Sequence, residues 1–323
     1  GGLDYVYFAR TESQRRLNGY ASGLIDLRGV KTELVLEERW GRTYVRPNYE
    51  VNERVQQETI GARLFVRRVL SERFALTLSG NAQRVDTETT EYLGTDLGES
   101  LTQDRARVGG ELRVALSIKT QFVAGAEESW YRFRRARERD GRSTLAYGGL
   151  RTDETALISG QALAGMRWFE LDAGGRRDEL YVDVDATWNI SHKTKIGGAY
   201  SRDIAYAAFD TSGATPTNRL ETAELFFDKV LVRGLYLRLF GRMQVLTSDG
   251  EITITEEGAP VAAVRDDDIR EAGGELGWQF RTRLRVGVRA SYAKRKSPFT
   301  TFGVRGLLAG LTIQYNPPQP SFR

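Results

Sequence analysis

The chain has 323 residues, of which 47 are basic and 43 acidic, so its formal net charge is only +4. This balance is not the composition of a nucleic-acid-binding protein. No apolar run approaches the ~20 residues that a membrane-spanning helix requires, which excludes a helical membrane protein. A single histidine and no cysteine leave no residues for the usual zinc sites. The chain opens at Gly1 without a visible signal peptide, so an exported protein would be in a mature or trimmed form.

Apolar and polar residues alternate along the whole chain. From Leu180 to Ile190 the even positions are apolar and the odd ones polar, and from Leu235 to Val245 the sequence LYLRLFGRMQV has the same pattern. Period-two alternation of this length predicts strands, because side chains alternate across a pleated sheet. No segment shows the spacing of an amphipathic helix.

The pattern predicts about sixteen strands, with fourteen and eighteen as neighbouring counts. An even number places both termini on the same side of a barrel. Residues 152–171 fit either one long strand or a hairpin. In chain order, the predicted strands are 3–11, 17–28, 31–46, 54–69, 73–88, 103–117, 120–135, 152–160, 162–171, 178–190, 194–208, 217–230, 234–248, 268–281, 284–297 and 302–316.

Short turns and longer polar connections alternate between these strands. The longer connections are 87–103, 137–152, 208–217 and 249–268. This is the pattern of an up-and-down barrel with tight turns at one end and loops at the other, as in outer-membrane proteins. The loop 249–268 contains ITIT and VAAV, which predict a small hairpin rising above the barrel.

A soluble β-sandwich would also alternate, but three features favour a membrane barrel. The predicted strands exceed the five or six residues that are usual in soluble sheets. The polar face carries charges of both signs in mid-strand. Aromatic residues lie toward strand ends, where they are candidates for interfacial girdles; these are Trp188, Trp278, Tyr292, Phe302 and Tyr315.

The last strand is apolar on one face and ends in Tyr315, which resembles the C-terminal signal of bacterial outer-membrane proteins. It departs from that signal because NPPQPSFR follows the tyrosine, so Phe322 is a second candidate for the near-terminal aromatic. We therefore predict one barrel domain, residues 1–316, and a tail, residues 317–323, that projects into the periplasm.

Repeated units of a polar-ended strand, a turn such as NISHKTKIGGAYSR (189–202) and a following strand with an arginine extend over most of the chain. In this style the chain resembles the β-barrel porin type 2 family, which includes the EpsL-like barrels associated with exopolysaccharide loci. The resemblance implies an outer-membrane channel through which a polysaccharide leaves the cell. It implies no catalytic residues.

Charged and aromatic residues on the polar face of the predicted strands are the candidate site. In a barrel they line the lumen, where they pair across strands, select solutes by charge and offer rings on which sugars stack. Tyr181 is a further candidate for stacking, and Glu127, Glu224 and Asp228 are further acidic candidates. The predicted lumen residues are Arg63, Arg67, Arg107, Glu111, Arg113, Asp183, Asp185, Tyr236, Arg238, Phe240, Arg242, Glu271, Glu275, Arg285 and Arg289.

Catalytic chemistry has little support in the sequence. His192 lies in a predicted turn beside Ser191, which is not the geometry of a serine–histidine pair built across strands. The run Asp266 to Asp268 is the densest acidic cluster, and it fits either a solvated loop or a calcium site. The glycine pairs match no phosphate loop, because no Lys-Ser or Lys-Thr follows them and no helix is predicted there. We predict no enzyme activity, metal or cofactor.

The function predicted from the sequence is passive passage through a charged lumen in the bacterial outer membrane, with exopolysaccharide export as its most specific version. A general or solute-specific diffusion porin and a structural barrel that anchors an envelope assembly are the alternatives. The predicted partners are outer-membrane lipid, lipopolysaccharide and periplasmic export proteins, without nucleic acid.

Overall fold

The computed structural model describes residues 2–6, 16–45, 51, 54–152, 157–207, 217–232, 234–256, 259–280 and 284–315. Within them, sixteen strands form one antiparallel sheet in which each strand pairs with the next one in the chain. The strands of this sheet are β1 (Gly2–Val6), β2 (Arg16–Arg28), β3 (Thr32–Val45), β4 (Val55–Val69), β5 (Phe74–Thr87), β8 (Gln103–Ala115), β9 (Thr120–Phe133), β10 (Gly141–Thr152), β11 (Ile158–Leu171), β12 (Arg176–Ser191), β13 (Thr194–Tyr206), β14 (Thr217–Val230), β15 (Leu235–Glu256), β16 (Ala259–Phe280), β17 (Leu284–Lys296) and β18 (Val304–Tyr315).

The connection from β5 to β8 contains a small hairpin, β6 (Glu91–Tyr92) with β7 (Thr95–Asp96), and a helix, α1 (Leu97–Leu101). Asp96 caps this helix by accepting hydrogen bonds from the backbone N–H groups of Gly98 and Glu99. The sequence predicts no helix here, because five residues are too few to show a helical period. None of the helices in the described part of the chain is long and apolar enough to cross a membrane.

The prediction of an all-β, up-and-down sheet of about sixteen strands is confirmed, but one part of the count is wrong. The sequence assigns 137–152 to a connection and counts 152–171 as two strands, with one long strand as the alternative. The structure has β10 at Gly141–Thr152 and one strand β11 at Ile158–Leu171, which is nearer that alternative. Strand β10 escapes detection because its apolar residues do not share one face: Leu145 and Tyr147 lie on the face opposite to Ala146 and Leu150. The two errors cancel in the total.

The hairpin predicted within 249–268 is confirmed. Strands β15 and β16 are 22 residues long, and their outer parts pair Ile252 with Ala263 and Ile254 with Val261. The register shifts between Thr247 and Glu251, which marks the point where the hairpin leaves the wall. The predicted tail lies outside the described residues.

The two faces of the sheet have opposite character. On one face, large apolar side chains are exposed on almost every strand, as Ile25, Leu78, Leu225 and Val288 illustrate. Along β17 this face presents an apolar residue at every second position for nine residues, 284 to 292, close to the ~9 to 11 residues that a tilted transmembrane strand needs. We call the opposite face, which carries the ionised side chains, the polar face.

The sheet curves around its polar face. A cavity of about 470 Å³ is lined by polar-face residues of seven strands, β4 and β8 to β13, which is possible only if that face is concave. No ladder joins β1 to β18 in the described residues. Connections from the two halves of the sheet nevertheless pack together, because Val51 and Leu97 lie in one cluster with Ile252, Phe299 and Phe302.

Candidate functional site: the polar face

The register places the predicted lumen residues on the polar face, except that the side chain of Arg285 lies outside the described part. Arg63 of β4 pairs with Asn81 of β5, which pairs with Arg107 of β8. On the other half of the sheet Arg238 of β15 pairs with Glu275 of β16, which pairs with Arg289 of β17. These residues therefore form rows that run across the strands, as alternation from a correct register requires.

Glu111 is the acceptor for one group of polar-face donors. Its carboxylate lies 2.5 Å from Nε of Arg113 and 2.9 Å from Nη1 of Arg151, and it accepts a hydrogen bond of 3.1 Å from the Tyr147 hydroxyl. Arg151 and Tyr147 belong to β10 and are not predicted from the sequence, because that strand was not recognised.

Arg167 is a donor at the centre of a second group. Its guanidinium donates to both carboxylate oxygens of Asp203, at 2.6 and 3.1 Å, and to the Ser143 hydroxyl at 3.0 Å. Glu127 lies 3.8 Å away and also pairs with Arg107 at 3.4 Å. Arg167 is only 7% exposed, so this bidentate ion pair is largely withdrawn from solvent.

The wall formed by β14 to β17 is more loosely paired. Arg238 lies 3.6 Å from Asp228 and Arg289 lies 3.7 Å from Glu271, and both arginines are about half exposed. The Arg289 guanidinium also stands 4.4 Å from the ring centroid of Phe240. Glu271 and Arg289 thus form an ion pair across β16 and β17.

Aromatic residues close part of the interior near the loop end of β9 to β13. Tyr206 packs against Tyr131, Phe133 and Phe169, with ring centroids 4.8 to 5.1 Å apart. Arg139, from the connection between β9 and β10, stacks 5.0 Å from the Phe133 centroid. The predicted stacking candidate Tyr181 lies deeper, 6.1 Å from the Tyr147 ring. This cluster is not predicted from the sequence, because its members come from three separate strands and one connection.

The loop end of the wall contains an apolar cluster, which we call the rim core. Its members come from the connections β3–β4, β5–β8 and β17–β18 and from the outer hairpin of β15 and β16. The rim core consists of Val51, Val55, Leu97, Leu101, Ile252, Ile254, Phe299 and Phe302. Phe302 is fully buried there, so its predicted place in an exposed aromatic girdle is wrong. Trp188, Trp278 and Tyr292 are exposed on the apolar face as predicted, and the side chain of Tyr315 is outside the described part.

Beneath the rim core, three charged side chains are buried together, and we call them the rim triad. The carboxylate of Asp267 accepts hydrogen bonds from Arg265 at 2.6 Å and Arg295 at 2.5 Å. The Arg265 guanidinium lies 3.9 Å from the ring centroid of Phe302. Asp268, the next residue, faces the other side of the sheet and pairs with Arg270 at 2.6 Å.

The acidic run at 266–268 does not present its three carboxylates on one face of the sheet. Its residues alternate between two faces of β16, because successive side chains of a strand point in opposite directions. In the described residues no group of three or more histidines or acidic residues could hold a metal ion. His192 is an exposed turn residue between β12 and β13, and its predicted position in a turn is confirmed.

The tip of the outer hairpin is fastened to the connection between β17 and β18. The Glu256 carboxylate accepts a hydrogen bond of 2.9 Å from the Thr301 backbone N–H and one of 3.2 Å from the Thr300 hydroxyl. The Thr301 N–H, the largest cause, holds the pKa of Glu256 below its ordinary value of 4.5. This contact lies above the membrane-spanning part of the wall.

An antiparallel meander of sixteen strands, apolar and exposed on one face and charged on the concave one, defines a transmembrane β-barrel. Comparison with known proteins agrees at the level of fold. No family model and no curated protein matches the chain. The more specific assignment to the porin type 2 family therefore stays a prediction.

Solved structures of outer-membrane transporters share this fold. The copper transporter OprC aligns at 12% identity with a TM-score of 0.51, covering 94% of this chain and 56% of OprC. The FrpB iron transporter from Neisseria meningitidis aligns at 10% identity with a TM-score of 0.50, covering 91% and 57%. FpvA of P. aeruginosa, solved with bound pyoverdines, aligns at 8% identity with a TM-score of 0.52, covering 90% and 50%. The chain thus has the fold of bacterial outer-membrane β-barrels and spans about half the length of these proteins.

Proposed function

We propose that the protein lies in the bacterial outer membrane and provides a passage for polar solutes through its charged interior. The observation that carries this proposal is the charged concave face on strands whose other face is apolar. Exposed apolar residues on this scale mark a surface that contacts lipid or another protein, not water. The charged residues are then on the inside, where they can be solvated and paired.

The predicted lumen residues acquire distinct roles in this proposal. Glu111 and Arg113 stiffen the wall through the buried network around β8 and β10. The half-exposed Arg238 and Arg289 are available to a passing solute, because their ion pairs are long and solvated. A lumen with both kinds of group selects solutes by charge and hydrogen bonding.

Inward side chains of β9 to β11 favour a selective passage over a wide diffusion pore. Val123, Ser129, Leu145 and Leu163 on this half of the polar face are all almost fully buried. The passage is consequently narrower than the open channel that a barrel of this strand number leaves when its lumen is filled with water. Export of a polysaccharide as a single extended chain fits a narrow, charged passage, and a solute-specific porin is the alternative.

Single-channel conductance in planar bilayers tests the proposal. We expect discrete current steps for the purified protein, and we expect fragments of an acidic polysaccharide to interrupt them more often than neutral fragments of equal length. Equal interruption by both would favour a less specific porin. If heat-modifiable migration in detergent gels shows a folded barrel but no current appears under any condition, the passage is refuted and an anchoring barrel remains.

A further inference from the structure

The cavity on the concave face contains two arginines that no carboxylate neutralises. Its lining includes five arginines but only three carboxylates; the arginines are Arg63, Arg105, Arg107, Arg151 and Arg167. Arg107, Arg151 and Arg167 each pair with an acidic residue. Arg63 and Arg105 form no ion pair with any carboxylate in the described part of the chain.

Arg105 is held in place although it lacks a carboxylate. Its Nη2 donates a hydrogen bond of 2.8 Å to the Tyr131 hydroxyl, and its guanidinium stacks 4.7 Å from the centroid of the same ring. The Nε–H is buried and has no hydrogen-bond partner in the part of the chain that the structure describes. A fixed guanidinium with an unused donor is preorganised to bind an acceptor, because it loses little further side-chain entropy when the acceptor binds.

Arg63 can reach the same acceptor. It stands on β4, two strands from β8, and its register neighbour Asn81 pairs with Arg107, two residues from Arg105. Two strand spacings amount to about 10 Å, a span that two long side chains bridge from opposite sides. Arg63 is exposed on the concave face and makes no hydrogen bond to the described residues, so a ligand there displaces no hydrogen bond among them.

The other side of the cavity supplies acceptors and aromatic surface. Asp183 accepts a hydrogen bond of 2.8 Å from Gln161, and among the described residues it forms no ion pair within 4 Å. Tyr147 and Tyr181 line the cavity with their rings and hydroxyls. Its volume of about 470 Å³ equals that of on the order of fifteen waters at ~30 Å³ each, which is enough for one sugar ring with its substituents.

We propose that this cavity binds a sugar acid, with the carboxylate at Arg63 and Arg105 and the hydroxyls toward Asp183 and the two tyrosines. Planar guanidinium groups match a carboxylate in geometry and charge. An ionised carboxylate such as Asp183 only accepts hydrogen bonds, so it favours the hydroxyl end of the ligand and repels a second negative group. The proposal names the substrate class of the passage described above and rests on that function only for its biological meaning.

Calorimetric titration of the detergent-solubilised barrel with glucuronate tests the site, with glucose and inorganic phosphate as comparison ligands. We expect glucuronate to bind more tightly than either. Arg63→Gln should weaken binding several-fold, and Arg63→Gln with Arg105→Gln should weaken it at least tenfold. Arg28→Gln is the matched control, because Arg28 shares the polar face but pairs with Asp26 at the short-turn end of β2.

Absence of glucuronate binding by the intact protein would overturn the proposal. Equal weakening by Arg28→Gln would show that the general charge of the interior attracts the anion, which would also overturn it, as would phosphate binding as tightly as glucuronate. Circular dichroism of each variant checks the fold, and Arg63→Gln tests the site alone because that side chain has no hydrogen bond or ion pair with the described residues to lose. Binding does not require current, so a barrel that binds but does not conduct would refute the passage and leave the site standing.

Discussion

The rim triad offers a sharp test of how the loop end of the barrel is held together. Asp267 and Arg265 are completely buried, and Arg295 is 7% exposed on its charged side chain. Asp267→Asn removes the negative charge that both guanidinium groups of this buried site share. Each of the two charged hydrogen bonds contributes about 1.5 to 3 kcal/mol. Breaking a buried ion pair on one side typically costs about 3 to 5 kcal/mol, which agrees with that sum.

The adjacent residue provides the control. Asp268 also pairs with an arginine two positions away, but Arg270 is well exposed on the other face of β16. Exposed pairs of this kind contribute about 0 to 1 kcal/mol. Asp268→Asn should therefore change stability little, although it alters the same chemical group one position along the chain.

Urea unfolding in detergent micelles, followed by tryptophan fluorescence, measures the difference. Because the rim can open before the wall, hydrogen exchange of the outer hairpin should be measured in parallel. Equal effects of Asp267→Asn and Asp268→Asn in both assays would refute the reasoning. So would a failure of the triple change Asp267→Leu, Arg265→Met and Arg295→Met to recover stability, since replacing every buried charge removes the uncompensated groups.

Three further predictions follow from the wall and the rim. Leu239→Arg on the apolar face should lower the free energy of unfolding by about 2 to 4 kcal/mol if the residue lies near the bilayer midplane. Arg242→Leu on the polar face should leave folding intact and change the conductance. The reverse result would mean that this strand belongs to a soluble sheet. A Cβ at Gly165 would lie 2.0 Å from the Ala146 carbonyl oxygen, whereas one at Gly241 would meet nothing within 4 Å. Gly165→Ala should therefore destabilise the barrel by about 1 to 3 kcal/mol, and Gly241→Ala should not. Urea unfolding midpoints measure the difference. Because the pKa of Glu256 is lowered in the folded state, the stability that its contact with the connection between β17 and β18 contributes is complete above pH 4.5 and is lost as the pH falls through the folded-state pKa. Spin labels on the hairpin tip and on that connection should therefore move apart on acidification. A Glu256→Gln variant should lose this pH dependence.

Sequence alone determined the class of fold and the division of the wall into two faces. Alternation over strands such as 235–245 fixes which residues share a face, because the period of a strand is two whatever lies beside it. For the same reason Arg238 and Arg242 could be assigned to the polar face before any partner strand was known. The alternating lengths of the connections determined that the strands run up and down.

Only the tertiary structure decided which charges meet. Arg167 and Asp203 are 36 residues apart and touch because the sheet brings β11 and β13 together on a concave face. The packing at the loop end could not be predicted from the sequence pattern either. Phe302 lies at the end of an alternating strand, where a girdle aromatic is expected, yet it is buried among residues of several connections. Local patterns report the direction of a side chain relative to its own strand, whereas ion pairs, cavities and the rim core depend on curvature, which arises only when all strands are assembled.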